Sequence, residues 1–314
     1  MRNQIRDSIR GAMFGIAVGD ALGAPLEFMD ADYIKMRHGI VRDMIGGGWL
    51  NVRPGEITDD TQMTLAVAHG IAESPNDPIE AIGRQFVKWA NSGPKDIGAT
   101  CSSSIHRAIR IAQNPDSPSK DDWFDSSAAT HTAMNGRSAG NGSLMRTAYV
   151  GLYYKSEDEA MQKAMQISKM THYDEETAVD CGVYSAILSR IVEEKIDLRA
   201  RYQLVIQYAC EASYCKGRYP YDILSCAGYA PRPTGYVVDS FASALHCIFT
   251  TNSFEDAVVK AVNLGGDADT IGAITGGLAG AIYGYEAIPE RWTKCLAPED
   301  CAELDALCEV AALR

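Results

Sequence analysis

Glycine recurs every four residues at positions 11, 15, 19 and 23, and again at 272, 276, 280 and 284. Both runs fall in segments of helical apolar period, where each glycine costs up to ~1 kcal/mol relative to alanine. A strip of glycines on one helix face lets another backbone come very near, a packing device best known from membrane helices. Length and charge argue against a membrane span. "TIGAITGGLAGAIYG" is closed in by Asp269 and Glu286, short of the ~20 apolar residues a span needs, and the first run is interrupted by Asp20. The two runs are expected to be central helices of a soluble bundle, packed against each other, with any chemistry at their ends.

Nearly every other segment also has a helical period and few runs alternate as strands do, so the expected class is all-α. With 46% hydrophobic and 22% charged residues the chain reads as soluble and folded, and the absence of a linker favours one domain over residues 1–314. Helices are expected at 5–22, 59–74, 78–91, 98–112, 141–154, 157–170, 175–194, 197–212, 237–250, 254–263, 270–284 and 298–312. Long loops are expected at 25–57, 113–140 and 213–235.

The net charge of −12, with no basic cluster, argues against a nucleic-acid partner. An anionic ligand would have to be held by local backbone N–H groups or bound cations. Nine cysteines without a C-x-x-C pair, and no signal peptide in "MRNQIRDSIRGAMFG", suggest reduced thiols and a cytoplasmic location. The spacing of Cys210, Cys215, His246 and Cys247 fits no standard zinc finger, and buried apolar cysteines are the better reading.

The informative polar residues stand where helices begin. "EITDDTQM" puts Thr58, Asp59 and Asp60 at the start of one apolar-periodic segment, and "GGDADT" puts Asp267, Asp269 and Thr270 at the start of the second glycine helix. Capping and the helix dipole account for one such acid at each site, and Asp59 with Gln62 resembles a capping box. They do not account for two acid-rich starts in one chain. If both starts face one cavity, like charges that close cannot all remain ionised unless cations sit among them. Oxygen-only ligands select hard ions such as Mg²⁺, Mn²⁺ or Ca²⁺, with Glu27 in "GAPLEF" a candidate fifth carboxylate. "SAGNGSLMR" places Gly140, Asn141, Gly142 and Ser143 before a helix, where free N–H groups hold an anion or simply form a Gly/Asn turn. "KDIGAT", with Gly98 and Thr100, is a second such loop, and neither is a Walker-type phosphate loop.

Taken together, "GAMFGIAVGDALGAPLEF", "GGGWL", "GEITDDTQM", "GNGSLMR", "GYVVDS" and "NLGGDADTIGAITGGLAGAIYG" resemble the ADP-ribosylglycohydrolase family in content and order, over residues 11–284. The "GGGWL" to "ITDDT" spacing, "DIGATC" and "IPERW" most resemble its bacterial dinitrogenase reductase-activating branch. The resemblance implies an all-α orthogonal bundle, two Mg²⁺ or Mn²⁺ ions, and removal of ADP-ribose from arginine in a mono-ADP-ribosylated protein, nitrogenase reductase being one candidate. It implies metal contacts at Thr58, Asp59, Asp60, Asp267, Asp269 and Thr270, and catalytic carboxylates at Glu27, Asp96 and Asp59. It also implies substrate contacts at Gly98, Thr100, Gly140, Asn141, Gly142, Ser143, His172 and Tyr236. His172 reads equally as a helix-end histidine. Ala99 stands where the arginine-specific relative carries Asn, and Tyr173-Asp174 also departs from its pattern, so ADP-ribosyl-serine, another adduct or plain ADP-ribose binding stay open.

Overall fold

The computed structural model describes residues 2–194 and 225–314. Among them are fourteen α-helices, three short 3-10 turns and no strand, as the helical periodicity implies. Helix α1 (Arg2–Gly23) and helix α12 (Ala268–Tyr283) form the axis, running antiparallel. Gly11 faces Gly280, Gly15 faces Gly276, Gly19 faces Gly272 and Gly23 meets Ala268, so a methyl group at any of the four would overlap the opposite main chain. Close approach is what the glycines are for, and it offsets their poor helix propensity through backbone packing.

Both axial helices are buried on nearly all sides. Ile9, Met13, Phe14, Ile16, Val18 and Leu22 of α1 and Ile271, Ile274 and Leu278 of α12 are all within 1% of complete burial. Helices α10 (Val237–Phe249) and α11 (Phe254–Val262) cover α12, while α14 (Pro298–Leu313) and α3 (Asp59–Glu73) lie against α1. Farther out, α3 pairs with α4 (Ile79–Asn91), α5 (Ala99–Ile111) with α6 (Lys120–Ala133), and α8 (Glu157–Ser168) with α9 (Glu175–Glu194). No helix among the described residues is long and apolar enough to cross a membrane.

Three departures from the expected elements have physical causes. Helix α6 lies inside the segment expected as a loop; a Ser119–Asp122 capping box starts it, and much of its buried face is Ser126, Ser127 and Thr130, which carry no apolar period. Helix α2 (Ala31–His38), capped by Asp30, buries only Ile34 and therefore shows almost no amphipathic signal. The helix expected over 141–154 is a 3-10 turn at Asn141–Ser143 followed by a short α7 (Ala148–Tyr153). The helix expected at 197–212 lies outside the described residues.

Gly276→Ala tests the backbone contact, because propensity and sterics have opposite signs there. Overlap with Gly15 should destabilise the protein by about 1–3 kcal/mol despite the gain of helix propensity. A lower urea midpoint is expected; a midpoint raised by propensity alone would mean that the two helices do not touch.

Candidate active site

The antiparallel axis brings the C-terminal end of α1 beside the N-terminal end of α12, and this sets where the acids meet. Asp20, fully buried in the last turns of α1, reaches across to α3. Its carboxylate accepts from the Thr58 and Thr61 backbone N–H groups at 3.0 and 3.1 Å, and from both hydroxyls, Thr58 Oγ1 at 2.7 Å and Thr61 Oγ1 at 2.5 Å. An acid of one helix thus caps the N-terminus of another, satisfying donors that a helix start leaves free. The capped start presents Asp59 and Asp60.

Beyond α1 the chain passes through Glu27 and is tied to the loop before α12. Phe28 N–H donates to Gly266 O and Gly266 N–H to Met29 O, both at 2.7 Å. Gly265 and Gly266 have φ of 72° and 62°, left-handed values that glycine adopts without strain. The ligand oxygens of Glu27, Asp267 and Asp269 consequently lie within 4.8 Å of one another.

These groups line a cleft of about 380 Å³ with Asp59, Asp60, Asp96, Thr270, Gly98, Thr100, Gly140, Asn141, Gly142 and His172. Three residues expected at the site sit elsewhere: Thr58 turns to Asp20, Ser143 is fully buried against Ser168 at 2.9 Å, and Tyr236 lies on the flank, its hydroxyl donating to Glu176 at 2.6 Å. Tyr236 still joins the loop next to the cleft through a β-bridge to Gly140. Asn141 donates from Nδ2 to Asp267 Oδ2 at 2.8 Å, so it orients one of the crowded acids. A larger groove of about 870 Å³ lies on the other side of α3, but its walls mix Arg53 and Lys88 with Glu299 and Asp300 and hold none of these acids.

Burial, and then mutual repulsion, push the Asp59, Asp60 and Asp269 carboxyls well above the usual range. Burial pushes Glu27 up to about 7, with Asp267 and Asp96 adding to the shift and a 2.5 Å bond from Trp49 Nε1 opposing it. Burial also raises Asp96. Asp60 Oδ1 is buried without a hydrogen-bond partner, as an oxygen reserved for a cation would be. With a donor set made wholly of oxygens, the residues fit a hard divalent cation.

The opposite wall is built on a buried cation. Arg146 donates from Nη1 to Gly142 O at 3.2 Å and from Nη2 to Thr171 Oγ1 at 2.8 Å, with no carboxylate at ion-pair distance among the described residues. Thr171 Oγ1 in turn lies 2.8 Å from His172 Nδ1. Arginine only donates, so the threonine hydroxyl accepts from it; with the hydroxyl's own proton turned to Nδ1, the histidine is the Nε2–H tautomer, and Nε2 lies beside Gly140 and Gly142. Burial, reinforced by Arg146, pushes His172 down to about 3 and keeps it neutral.

Sequence reasoning missed Asp20, Trp49, Arg146 and Thr171 as parts of this site. Asp20 had a signal, being the only charged residue between Arg10 and Glu27. The others are recognisable only once the fold brings them together.

A model of the ADP-ribosylglycohydrolase family matches residues 1–314. The chain is 33% identical to the ADP-ribosyl-(dinitrogen reductase) glycohydrolase of Rhodospirillum rubrum, over 98% of both proteins. It is 29% identical to the ADP-ribosylarginine hydrolase Tri1 of Serratia proteamaculans, over 94% of this chain and 76% of that protein. A solved structure described as an ADP-ribosylglycohydrolase-related protein complex superposes with a TM-score of 0.80 at 28% identity, covering 99% of each chain. Family pattern, relatives and fold agree over the same residues, and the chain belongs to the ADP-ribosylglycohydrolase family.

Proposed function

We propose that this chain hydrolyses the N-glycosidic bond between ADP-ribose and an arginine side chain of a modified protein, using two Mg²⁺ or Mn²⁺ ions. The observation that carries the reading is the convergence of Glu27, Asp59, Asp60, Asp96, Asp267 and Asp269 on one cleft whose far wall is made of glycine loops and a neutral histidine. The names of the relatives from Rhodospirillum rubrum and Serratia proteamaculans point to the same substrate class.

Asp59, Asp60, Asp267 and Asp269, with Thr270, would hold the ions, while Thr58 keeps its hydroxyl on Asp20. Such ions supply a Lewis acid for ribose hydroxyls and a bound water of lowered pKa. The chain's own groups divide the remaining work. Gly140 and Gly142 allow close approach of a diphosphate, and His172, neutral near pH 7, would donate from Nε2 as its Nε2–H tautomer. Asp96 accepts hydrogen bonds from the guanidinium of the target arginine, a planar and always charged group. Glu27, pushed up to about 7, is poised to exchange a proton at neutral pH. With Asp59 it also offsets positive charge developing on the ribose as the C1–N bond breaks. The oxygen of water joins C1, the leaving guanidine regains a proton, and the products are ADP-ribose and unmodified arginine.

ADP-ribose release from a protein modified on arginine, and in parallel from one modified on serine, tests the assignment. Release from arginine is expected with Mg²⁺ or Mn²⁺, none with EDTA, and none in Asp59→Asn or Asp269→Asn. Glu27→Gln should lower kcat by about 10²–10⁴-fold with a smaller effect on KM. Release from serine alone would move the substrate to another class, and tight ADP-ribose binding without release would make this a binding protein.

Acid crowding also predicts how stability depends on pH when the ions are chelated. Glu27 has its pKa raised in the folded state from the ordinary 4.5 to about 7, so the native form binds the extra proton between those values. Its favourable contribution is complete below about pH 4.5 and is lost as pH rises through about 7. Thermal melts in EDTA should therefore show a pH slope across this window that flattens in Glu27→Gln and is offset by added Mn²⁺. A slope identical in the variant would count against the crowding.

A further inference from the structure

Of the eleven large hydrophobic side chains that stand exposed among the described residues, six lie between residues 28 and 49: Phe28, Tyr33, Met36, Ile40, Ile45 and Trp49. Two of them adjoin the cleft. Phe28 follows Glu27 directly, lines the cleft, and leaves 71% of its surface in solvent. Its φ of 62° is a left-handed conformation that a bulky residue adopts only when the surroundings impose it, here through the 2.7 Å bond of its N–H to Gly266 O. Trp49 is half exposed, its ring centroid 5.3 Å from that of Phe28, while its indole N–H is committed to Glu27. The other three tryptophans, Trp89, Trp123 and Trp292, are buried. An aromatic ring held in a strained backbone conformation and left bare beside the Glu27 carboxyl is a poor core element and a good contact surface.

We propose that the Phe28–Trp49 pair seats the guanidinium and aliphatic stem of the target arginine, making these two rings determinants of linkage specificity. The inference rests on the arginine-hydrolase reading above and adds to it the part of the site that recognises the leaving group. A guanidinium is planar, weakly hydrated and attracted to aromatic faces, while its edge donates to carboxylates. Asp96 and Glu27 supply carboxylates at the same cleft, so the rings take the face of the cation and the acids take its edge. A serine linkage carries no planar cation and gains nothing from the pair.

The test is steady-state hydrolysis of ADP-ribosyl-arginine and ADP-ribosyl-serine peptides by the Mn²⁺-loaded enzyme and its Phe28→Ala, Phe28→Leu and Phe28→Tyr variants, with Kd for free ADP-ribose measured alongside. Phe28 packs little against the core, so the variants are expected to fold. Phe28→Ala and Phe28→Leu should raise KM for the arginine conjugate about tenfold, with a smaller change in kcat, and Phe28→Tyr should restore it. Affinity for free ADP-ribose should stay unchanged. An active wild type whose KM does not move in Phe28→Ala overturns the seat and leaves the hydrolase reading standing. An equal loss of ADP-ribose affinity also overturns it, because the ring would then serve the other half of the substrate. A wild type that cleaves only the serine conjugate overturns the arginine reading, and the seat with it.

Discussion

Backbone contact between α1 and α12 is the constraint on which the rest depends. At Gly15 and Gly276, as at the neighbouring rungs, one main chain lies directly on the other, leaving no room for a methyl group. Close contact of this kind fixes the distance between the axes and the register along them, since sliding one helix by a residue would drive an isoleucine or alanine into the opposite carbonyls. Register then decides the chemistry. It sets Gly23 against Ala268, and so the turn leading to Glu27 beside the acids at the start of α12.

Putting so many carboxylates together opposes folding, and the structure shows how part of that opposition is met. Helices α3 and α12 both point their N-terminal ends at the cluster, where the helix dipole favours negative charge. Asp20 spends its whole hydrogen-bonding capacity on Thr58 and Thr61, so it is a buried acid with partners. Asp60 Oδ1 is not satisfied in this way. The contrast between these two buried aspartates separates an acid that holds the fold from one whose surroundings suit a cation.

How much was legible in the sequence follows from what each residue does locally. The glycine runs announce close packing by their four-residue spacing, and the pairs at 59–60 and 267–269 announce themselves by exceeding what capping needs. Asp20 was visible only as a defect in an apolar helix, because its partners lie thirty-eight and forty-one positions away. Helix α6 was hidden because serine and threonine fill much of its buried face, and α2 because it buries almost nothing. Phe28 and Trp49 resemble any loop aromatics until the fold sets them 5.3 Å apart beside Glu27. Local pattern reveals groups that act through their own helix and conceals those that act across the fold.

The electrostatics of the whole chain give the same division of labour. A protein of net charge −12 offers a diphosphate no general attraction, and the acids of the cleft would repel one. Affinity for an ADP-ribosyl group must come from dipoles and from cations placed one by one. In the proposed function His172 would contribute a neutral N–H, and Arg146, buried behind the glycine loop with no carboxylate partner among the described residues, would contribute a positive charge that the cleft acids do not neutralise. With the proposed arginine linkage, the acids of the opposite wall would serve the other end of the substrate, where the departing group is itself cationic. On this reading the two walls carry opposite electrical character because the bond to be cut joins an anion to a cation, and the scissile carbon belongs at the boundary between them.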